Sequence, residues 1–191
     1  SVSAFLLNRS SDLEIGNVHL ILEGGKIGNV YGGENYHGLI EGTITVTVDS
    51  IGGLPEHCRL DIDYLYGGNN LAAYAPDSVL VGGSMQALVA PIIELKNGHV
   101  NYDVFGGSRG GNPEHHFGNG QVTSKPKVIV GDATNTNNRF RIGRNVYGGG
   151  SAAKVIGDTE VILQGNVDVG NNVYGGGKSA DVDGSTNVII E

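Results

Sequence analysis

A nine-residue segment that occurs twice constrains this chain more than any other feature. Residues 142–150 read IGRNVYGGG and residues 169–177 read VGNNVYGGG, which places Tyr147 and Tyr174 27 residues apart. The flanking segments repeat at the same interval, because residues 155–164 (VIGDTEVILQ) match residues 182–191 (VDGSTNVIIE). A fixed period of this length is typical of solenoids, propellers and repeat arrays. The sequence therefore predicts a fold in which similar units are stacked.

Earlier parts of the chain carry diverged copies of the same unit. An aromatic residue followed by two glycines occurs at Tyr31, Tyr66, Phe105, Tyr147 and Tyr174. The spacings are 35, 39, 42 and 27 residues, and such variation indicates loop insertions between stacked units. We interpret residues 1–191 as a single domain, with an N-terminal cap segment at 1–16 and repeats over 17–191. The chain ends inside a repeat.

The composition and the repeat length predict an all-β fold, a parallel β-helix of about five coils with insertions in the middle coils. Glycine accounts for 33 of 191 residues, and Val, Ile and Thr dominate the periodic segments, which favours short strands joined by tight turns. The 27-residue unit carries strand patterns at 159–164, 169–174 and 180–182. We expect Val161 and Leu163 to face the interior, and residues 78–83 to form a closing strand. A β-propeller is excluded as the alternative, because each of its blades needs about 40–50 residues and the unit here has 27.

The charge balance argues against several partners. The net charge is −8, and the 12 basic residues are scattered along the chain, which predicts neither a nucleic-acid site nor an anionic-membrane site.

No apolar run approaches the roughly 20 residues of a membrane span, so we expect no membrane insertion in this segment. Residues 1–10 show no signal peptide. The one cysteine, Cys58, excludes an intrachain disulfide.

The repeated motif resembles a family of large bacterial proteins. NVYGGG occurs at 145–150 and 172–177, NVYGG occurs at 29–33, and Thr-x-Val-Ile strands follow. These segments are similar to the glycine-rich tandem units of secreted or surface-anchored proteins that are generally interpreted as adhesin-like β-helices. The resemblance covers residues 140–191 strongly and 50–140 loosely. It implies an extracellular or cell-surface location, and it names no activity.

Stacked units place equivalent residues in columns. The aromatic residues at Tyr31, Tyr66, Phe105, Tyr147 and Tyr174 form either an outward platform for sugar rings or a packed corner against the glycines, and we favour the packed corner. Asn29, Asn145 and Asn172 precede the valine of each motif, and stacked asparagines can form a hydrogen-bonded ladder.

The irregular middle of the chain carries the predicted ligand contacts, because binding residues concentrate on loops of a rigid scaffold. The candidate ligand-binding residues are His115, His116, Phe117, Tyr74 and Tyr102. The ligand would be a glycan or a host or cell-surface protein. Adjacent histidines do not readily chelate one ion, so we expect no metal and no cofactor.

Two functions compete on this scaffold. The favoured one is a non-catalytic spacer or binding module, which can also associate end to end through its open C-terminal coil. The alternative is a carbohydrate-active enzyme, a polysaccharide lyase or hydrolase. Paired carboxylates at Asp61 and Asp63 near Arg59, and at Asp181 and Asp183, are the residues that an enzyme would use. We expect no catalysis, because neither pair has enough convergent partners in the sequence.

Overall fold

The structure is a computed structural model, and it describes residues 14–52, 59–111, 119–135 and 137–191. These residues are all-β and contain no helix. The strands are β1 (Glu14–Ile15), β2 (Val18–Leu22), β3 (Lys26–Tyr31), β4 (Leu39–Ile40), β5 (Ile44–Asp49), β6 (Asp61–Tyr66), β7 (Ser78–Val81), β8 (Ser84–Ala87), β9 (Pro91–Val100), β10 (Val104–Phe105), β11 (Lys127–Val130), β12 (Phe140–Ile142), β13 (Val146–Tyr147), β14 (Thr159–Leu163), β15 (Val167–Val169), β16 (Val173–Tyr174) and β17 (Thr186–Ile190).

Most of these strands belong to one 13-stranded parallel sheet. A first row of that sheet consists of β2, β5, β9, β11, β14 and β17. In this row Thr159 pairs with Thr186 and Val161 with Val188, so the register equals the 27-residue period of the sequence. The repeat thus corresponds to parallel pairing between strands of successive units.

A second row contains the motif segments themselves. It consists of β3, β6, β10, β13 and β16, joined by β12, β15 and the end of the ten-residue strand β9. A third row is made of single parallel bridges that connect Tyr74, Val122, Val155 and Val182 in turn. The four units from β5 onward therefore each contribute residues to three parallel rows.

The three rows surround one hydrophobic core. Ile93 of the first row, Val104 of the second and Val122 of the third are all 0% exposed and belong to the same packed cluster. Alternate side chains of a strand point to opposite sides, which is why every second residue is buried. Val161 is 0% exposed and Leu163 is 7% exposed, so the predicted interior face of this strand is confirmed.

The strand pattern predicted for 169–174 is wrong in part. This stretch ends one strand at Val169 and begins another at Val173, and the Gly170 N–H between them donates to the carbonyl of Ile142 on the preceding unit at 2.8 Å. The chain therefore bends between the two strands while its backbone remains hydrogen-bonded.

The closing strand predicted at 78–83 is also wrong. Residues 78–81 instead form β7, which pairs with β8 in an antiparallel hairpin outside the large sheet. Gly82 and Gly83 have φ values of +58° and +88°, and two such residues make the turn whose twist matches a hairpin. Leu80 is 70% exposed and Met85 is 64% exposed, so the hairpin presents apolar side chains to solvent.

Candidate functional site

Five aromatic rings form one stacked column on the second row. From one end to the other, the column contains Tyr31, Tyr66, Phe105, Tyr147 and Tyr174. Neighbouring ring centroids lie between 4.9 and 5.1 Å apart, with interplanar angles between 4° and 16°. Residues such as Leu65 and Val104, which directly precede a ring, point into the main core. The alternation along each strand therefore turns the rings to the outer side of the sheet.

The rings of this column cover one another. Phe105 is 1% exposed, Tyr66 is 5% exposed and Tyr147 is 8% exposed, whereas Tyr174 at the end of the column is 44% exposed. Burial is the largest of the effects that raise the pKa of Tyr66 to about 12. A sugar cannot stack on a ring whose two faces are already occupied. The column is consequently a packing element along most of its length.

The predicted asparagine ladder is interrupted. Asn145 and Asn172 are neighbours, since the backbone N–H of Asn172 donates to Asn145 Oδ1 at 3.2 Å. Asn29 pairs in register with Tyr64, and Asp103 hydrogen-bonds Asn145 on the next unit along the row. The prediction of one continuous ladder is wrong at Asn29, because the units between it and Asn145 carry a tyrosine and an aspartate at this position.

Beside the ring column, polar groups form a connected surface on the outer side. Asn101 Nδ2 donates to Asp61 Oδ1 at 2.6 Å and to Asp63 Oδ1 at 2.9 Å. Asn101 Oδ1 lies 3.0 Å from His99 Nε2, and Lys26 Nζ lies 3.6 Å from Asp61 Oδ2. The Asp61 and His99 side chains are 32% and 42% exposed, so the network is accessible to solvent.

Tyr102 lies next to this network, between a second ring and a guanidinium group. Its ring centroid is 4.9 Å from that of Tyr64, and Arg144 Cζ lies 4.4 Å from the Tyr102 centroid. A guanidinium above an aromatic face gains electrostatic attraction and is held in one plane. Arg144 is exposed, so its N–H groups are accessible to a ligand in a fixed orientation.

We call this surface the Tyr102 face and define it by Asp61, Asp63, Asn101, Tyr102 and Arg144. The two aspartates share a side because Ile62 between them is buried. The pairing register explains the rest. Ile62 pairs with Val100 and Leu65 with Val104, so β9 and β10 have one more residue between these positions than β6 has. An extra residue of this kind redirects side chains, and here Asn101 and Tyr102 both contact the outer surface network.

The predicted ligand residues have different locations. Tyr102 belongs to the Tyr102 face. Tyr74 is 0% exposed, its hydroxyl donates to the Gly42 carbonyl at 2.8 Å, and burial raises its pKa. The ligand role predicted for Tyr74 is wrong, because its ring fills the third row of the core. His115, His116 and Phe117 lie outside the described residues.

Two of the four carboxylates that an enzyme would use, Asp61 and Asp183, lie beside basic groups. Asp183 Oδ2 lies 2.7 Å from Lys154 Nζ. Asp61 is close to Lys26 and to His99, whose Nε2 is 3.7 Å away. Among the described residues, no group of three or more His, Cys, Asp and Glu side chains is placed to hold a metal ion.

Three arginines form a basic cluster that was not predicted from the sequence. Arg139, Arg141 and Arg144 fall within six residues, and the exposed Arg139 and Arg141 flank the inward-facing Phe140. The description of the basic residues as scattered is wrong for this strand. The sequence does indicate this cluster, because Arg-Phe-Arg-Ile at 139–142 alternates charged with apolar residues and so predicts two cations on one side of a strand.

Comparison of the chain with protein-family models, curated proteins and solved structures finds no match. No stretch of the described residues forms a helix long and apolar enough to cross a membrane.

Proposed function

We propose that the chain is a parallel β-helix in which each repeat unit forms one coil, with about five coils in all. Three observations support this proposal: parallel pairing at the repeat interval, a third row to which four units contribute, and one core enclosed by the rows. The proposal agrees with the resemblance to the NVYGGG tandem-repeat proteins. Stacked coils make a rigid rod, because each one is hydrogen-bonded to its neighbours along its length.

We infer that this rod is a non-catalytic, adhesin-like module of a secreted or cell-surface bacterial protein, and that its Tyr102 face contacts glycans. The observation that carries the proposal is the exposed network in which Asn101 joins Asp61 and Asp63 beside Tyr102 and Arg144. Sugar hydroxyls both donate and accept hydrogen bonds. The face offers carboxylate acceptors on β6 and guanidinium donors on the bend that follows β12.

The rigidity of the face favours binding. Ordering flexible side chains at an interface costs about 0.5–1.5 kcal/mol for each immobilised side chain. Asn101 and Arg144 are already held by a carboxylate pair and by an aromatic ring, respectively. A ligand that meets them therefore loses less free energy to side-chain ordering than it would on a loop.

A glycan array with three proteins tests the proposal. Wild type should bind one or more glycans, and Tyr102→Ala and Asp63→Ala should each weaken that binding about tenfold, because the first change removes the ring that holds Arg144 and the second removes a hydrogen-bond acceptor. Glu94→Ala is the matched control, since Glu94 lies on the outer side of the first row and pairs with Lys96 at 3.2 Å. Binding that is unchanged in both site variants, with normal thermal unfolding, would disprove a role for this face.

One observation favours the enzymatic alternative, a carbohydrate-active enzyme. Two carboxylates that share one amide donor, with His99 in the same network, resemble an acid–base arrangement. Incubating the protein with uronic-acid and neutral polysaccharides and measuring new chain ends would decide. Chain cleavage that is lost in Asp61→Ala and Asp63→Ala would establish the enzyme and refute the non-catalytic proposal.

A further inference from the structure

Half of the arginines in the chain lie on one short segment of the outer surface. The sequence has six arginines, and Arg139, Arg141 and Arg144 fall within six residues. On β12 the flanking core residues Phe140 and Ile142 are 0% exposed, which directs Arg139 and Arg141 outward. This concentration of positive charge contrasts with the net charge of −8 for the whole chain.

The local charges on this segment are not balanced. Arg139 Nη2 lies 3.4 Å and Arg141 Nε lies 3.7 Å from the same carboxylate oxygen, Asp168 Oδ2. Arg144 packs on the uncharged ring of Tyr102. Two guanidinium groups therefore share one carboxylate, and the third lies on an uncharged ring. The Arg139 and Arg141 side chains are 62% and 68% exposed, which leaves N–H donors accessible to an anionic ligand.

The arginines are continuous with the Tyr102 face. Arg141 pairs in register with His99, which belongs to the network around Asn101, and Arg144 is itself part of the face. Adjacent strands are about 4.8 Å apart, so a ligand that covers the face also reaches the arginines. Guanidinium groups bind planar carboxylates and sulfates through paired, charge-assisted hydrogen bonds.

We propose that this segment, residues 139–144, selects acidic glycans, whose sulfate or uronate carboxylate groups bind Arg141 and Arg144 while their hydroxyls bind Asp61 and Asp63. This inference rests on the proposed glycan-binding function and names its ligand class. Arg139 adds positive charge at the edge of the site. Tyr102 acts as a positioning residue for Arg144, because its ring occupies one side of the guanidinium plane.

The same face is poorly suited to a nucleic acid. Asp61, Asp63 and Asp168 lie on this surface, and a DNA backbone, which carries one charge at every nucleotide and no free hydroxyl along its length, cannot donate hydrogen bonds to them. A glycan with acidic groups separated by hydroxyls fits an alternation of cations and carboxylates. The observations therefore favour the acidic glycan, and a nucleic acid becomes an outcome of the test.

The test measures binding of four probes by biolayer interferometry: heparin, polygalacturonate, neutral dextran and single-stranded DNA. Wild type should bind heparin or polygalacturonate about tenfold or more tightly than dextran or DNA, and the preference should shrink as salt is raised. The double variant Arg141→Gln/Arg144→Gln should lose about a hundredfold, at about tenfold for each charge-assisted contact. Tyr102→Leu should weaken acidic probes and leave thermal unfolding nearly unchanged.

The control is Lys96→Gln/Lys127→Gln, which removes the same charge from the outer side of the first row, where both lysines face glutamates. It should keep the binding of wild type. Equal binding of dextran and the acidic probes would overturn the acidic selectivity and leave the proposed glycan function in place. Preferential binding of DNA would overturn the glycan class. Binding of none of the probes or array glycans would overturn both proposals.

Discussion

Lys178 Nζ lies 3.1 Å from Asp103 Oδ2 and so joins residues that are 75 positions apart in the chain. The Asp103 side chain is 1% exposed, whereas that of Lys178 is 45% exposed. Asp103 Oδ1 also accepts hydrogen bonds from the backbone N–H and Nδ2 of Asn145, at 3.1 and 2.9 Å. A buried carboxylate is stable only when it is paired in this way. The asparagine and the lysine together therefore stabilise an anion beside the ring column.

Removal of the lysine should expose the cost of this buried anion. Lys178→Met should lower the free energy of unfolding by about 1–3 kcal/mol, because it leaves a carboxylate oxygen without its charged partner. The double variant Lys178→Met/Asp103→Asn should recover part of this loss in urea unfolding. Lys154→Met should have little effect, since both side chains of the Lys154–Asp183 pair are more than 40% exposed.

The same ion pair predicts a pH dependence in the alkaline range. The hydrogen bond to Asp103, the largest cause, raises the pKa of Lys178 above its ordinary value of 10.5. The stabilisation is thus present below that value and decreases as the pH rises through the raised pKa. Wild type should lose stability on this alkaline limb faster than Lys178→Met. Parallel stability curves for the two proteins above this pH would contradict the prediction.

Position within the ring column should determine the cost of losing a ring. Phe105 is 1% exposed and stacks on Tyr66 and Tyr147 at 4.9 Å on each side, whereas Tyr174 at the end is 44% exposed. Phe105→Ala should destabilise by about 3–5 kcal/mol, as truncation of a buried aromatic does. Tyr174→Ala should cost less than about 1.5 kcal/mol. Equal losses in thermal unfolding would show that the rings do not stabilise one another.

Two neighbouring isoleucines on β9 provide a test of the alternation. Ile93 is 0% exposed and pairs in register with Val46 and Val128, whereas Ile92 is half-buried on the outer side. Ile93→Ala should destabilise by about 2–5 kcal/mol and Ile92→Ala by about 1 kcal/mol or less. Both changes carry the same loss of strand propensity, so the difference in urea unfolding measures burial alone. A smaller loss for Ile93 would reverse the assigned faces.

The features that the sequence predicts are those that recur in every unit. The 27-residue interval predicts the register of Tyr147 with Tyr174, because parallel strands of equal units pair residue by residue. The alternation of Val161 and Leu163 predicts an inward face in the same way. Repetition makes these assignments strong, since one register must satisfy several units at once.

Features that occur once were missed, each for a physical reason. Gly82 and Gly83 resemble the glycine pairs that end other strands, and only their positive φ values distinguish a hairpin turn from a bend between strands of the large sheet. Tyr74 lacks the aromatic–Gly–Gly context, so its burial depends on three-dimensional packing alone. The one-residue insertion that brings Asn101 beside Asp61 and Asp63 is visible only from the pairing register.

The partly buried carboxyl group of Glu34 should lower the stability of the protein at neutral pH. Its Oε2 atom is buried and has no hydrogen-bond partner among the described residues, and burial is the main effect that raises its pKa above the ordinary value of 4.5, against an opposing charge effect from His37. A raised carboxyl pKa means that the folded state resists ionisation. Wild type should therefore lose stability as the pH rises through the interval between the ordinary and the raised pKa. Glu34→Gln should match wild type in acid and exceed it at neutral pH in urea unfolding. Glu23→Gln, at an exposed position, is the control for the loss of one carboxyl group. If Glu34→Gln instead destabilised the protein at neutral pH, the buried carboxylate would be a stabilising anion, and a partner for it would have to exist.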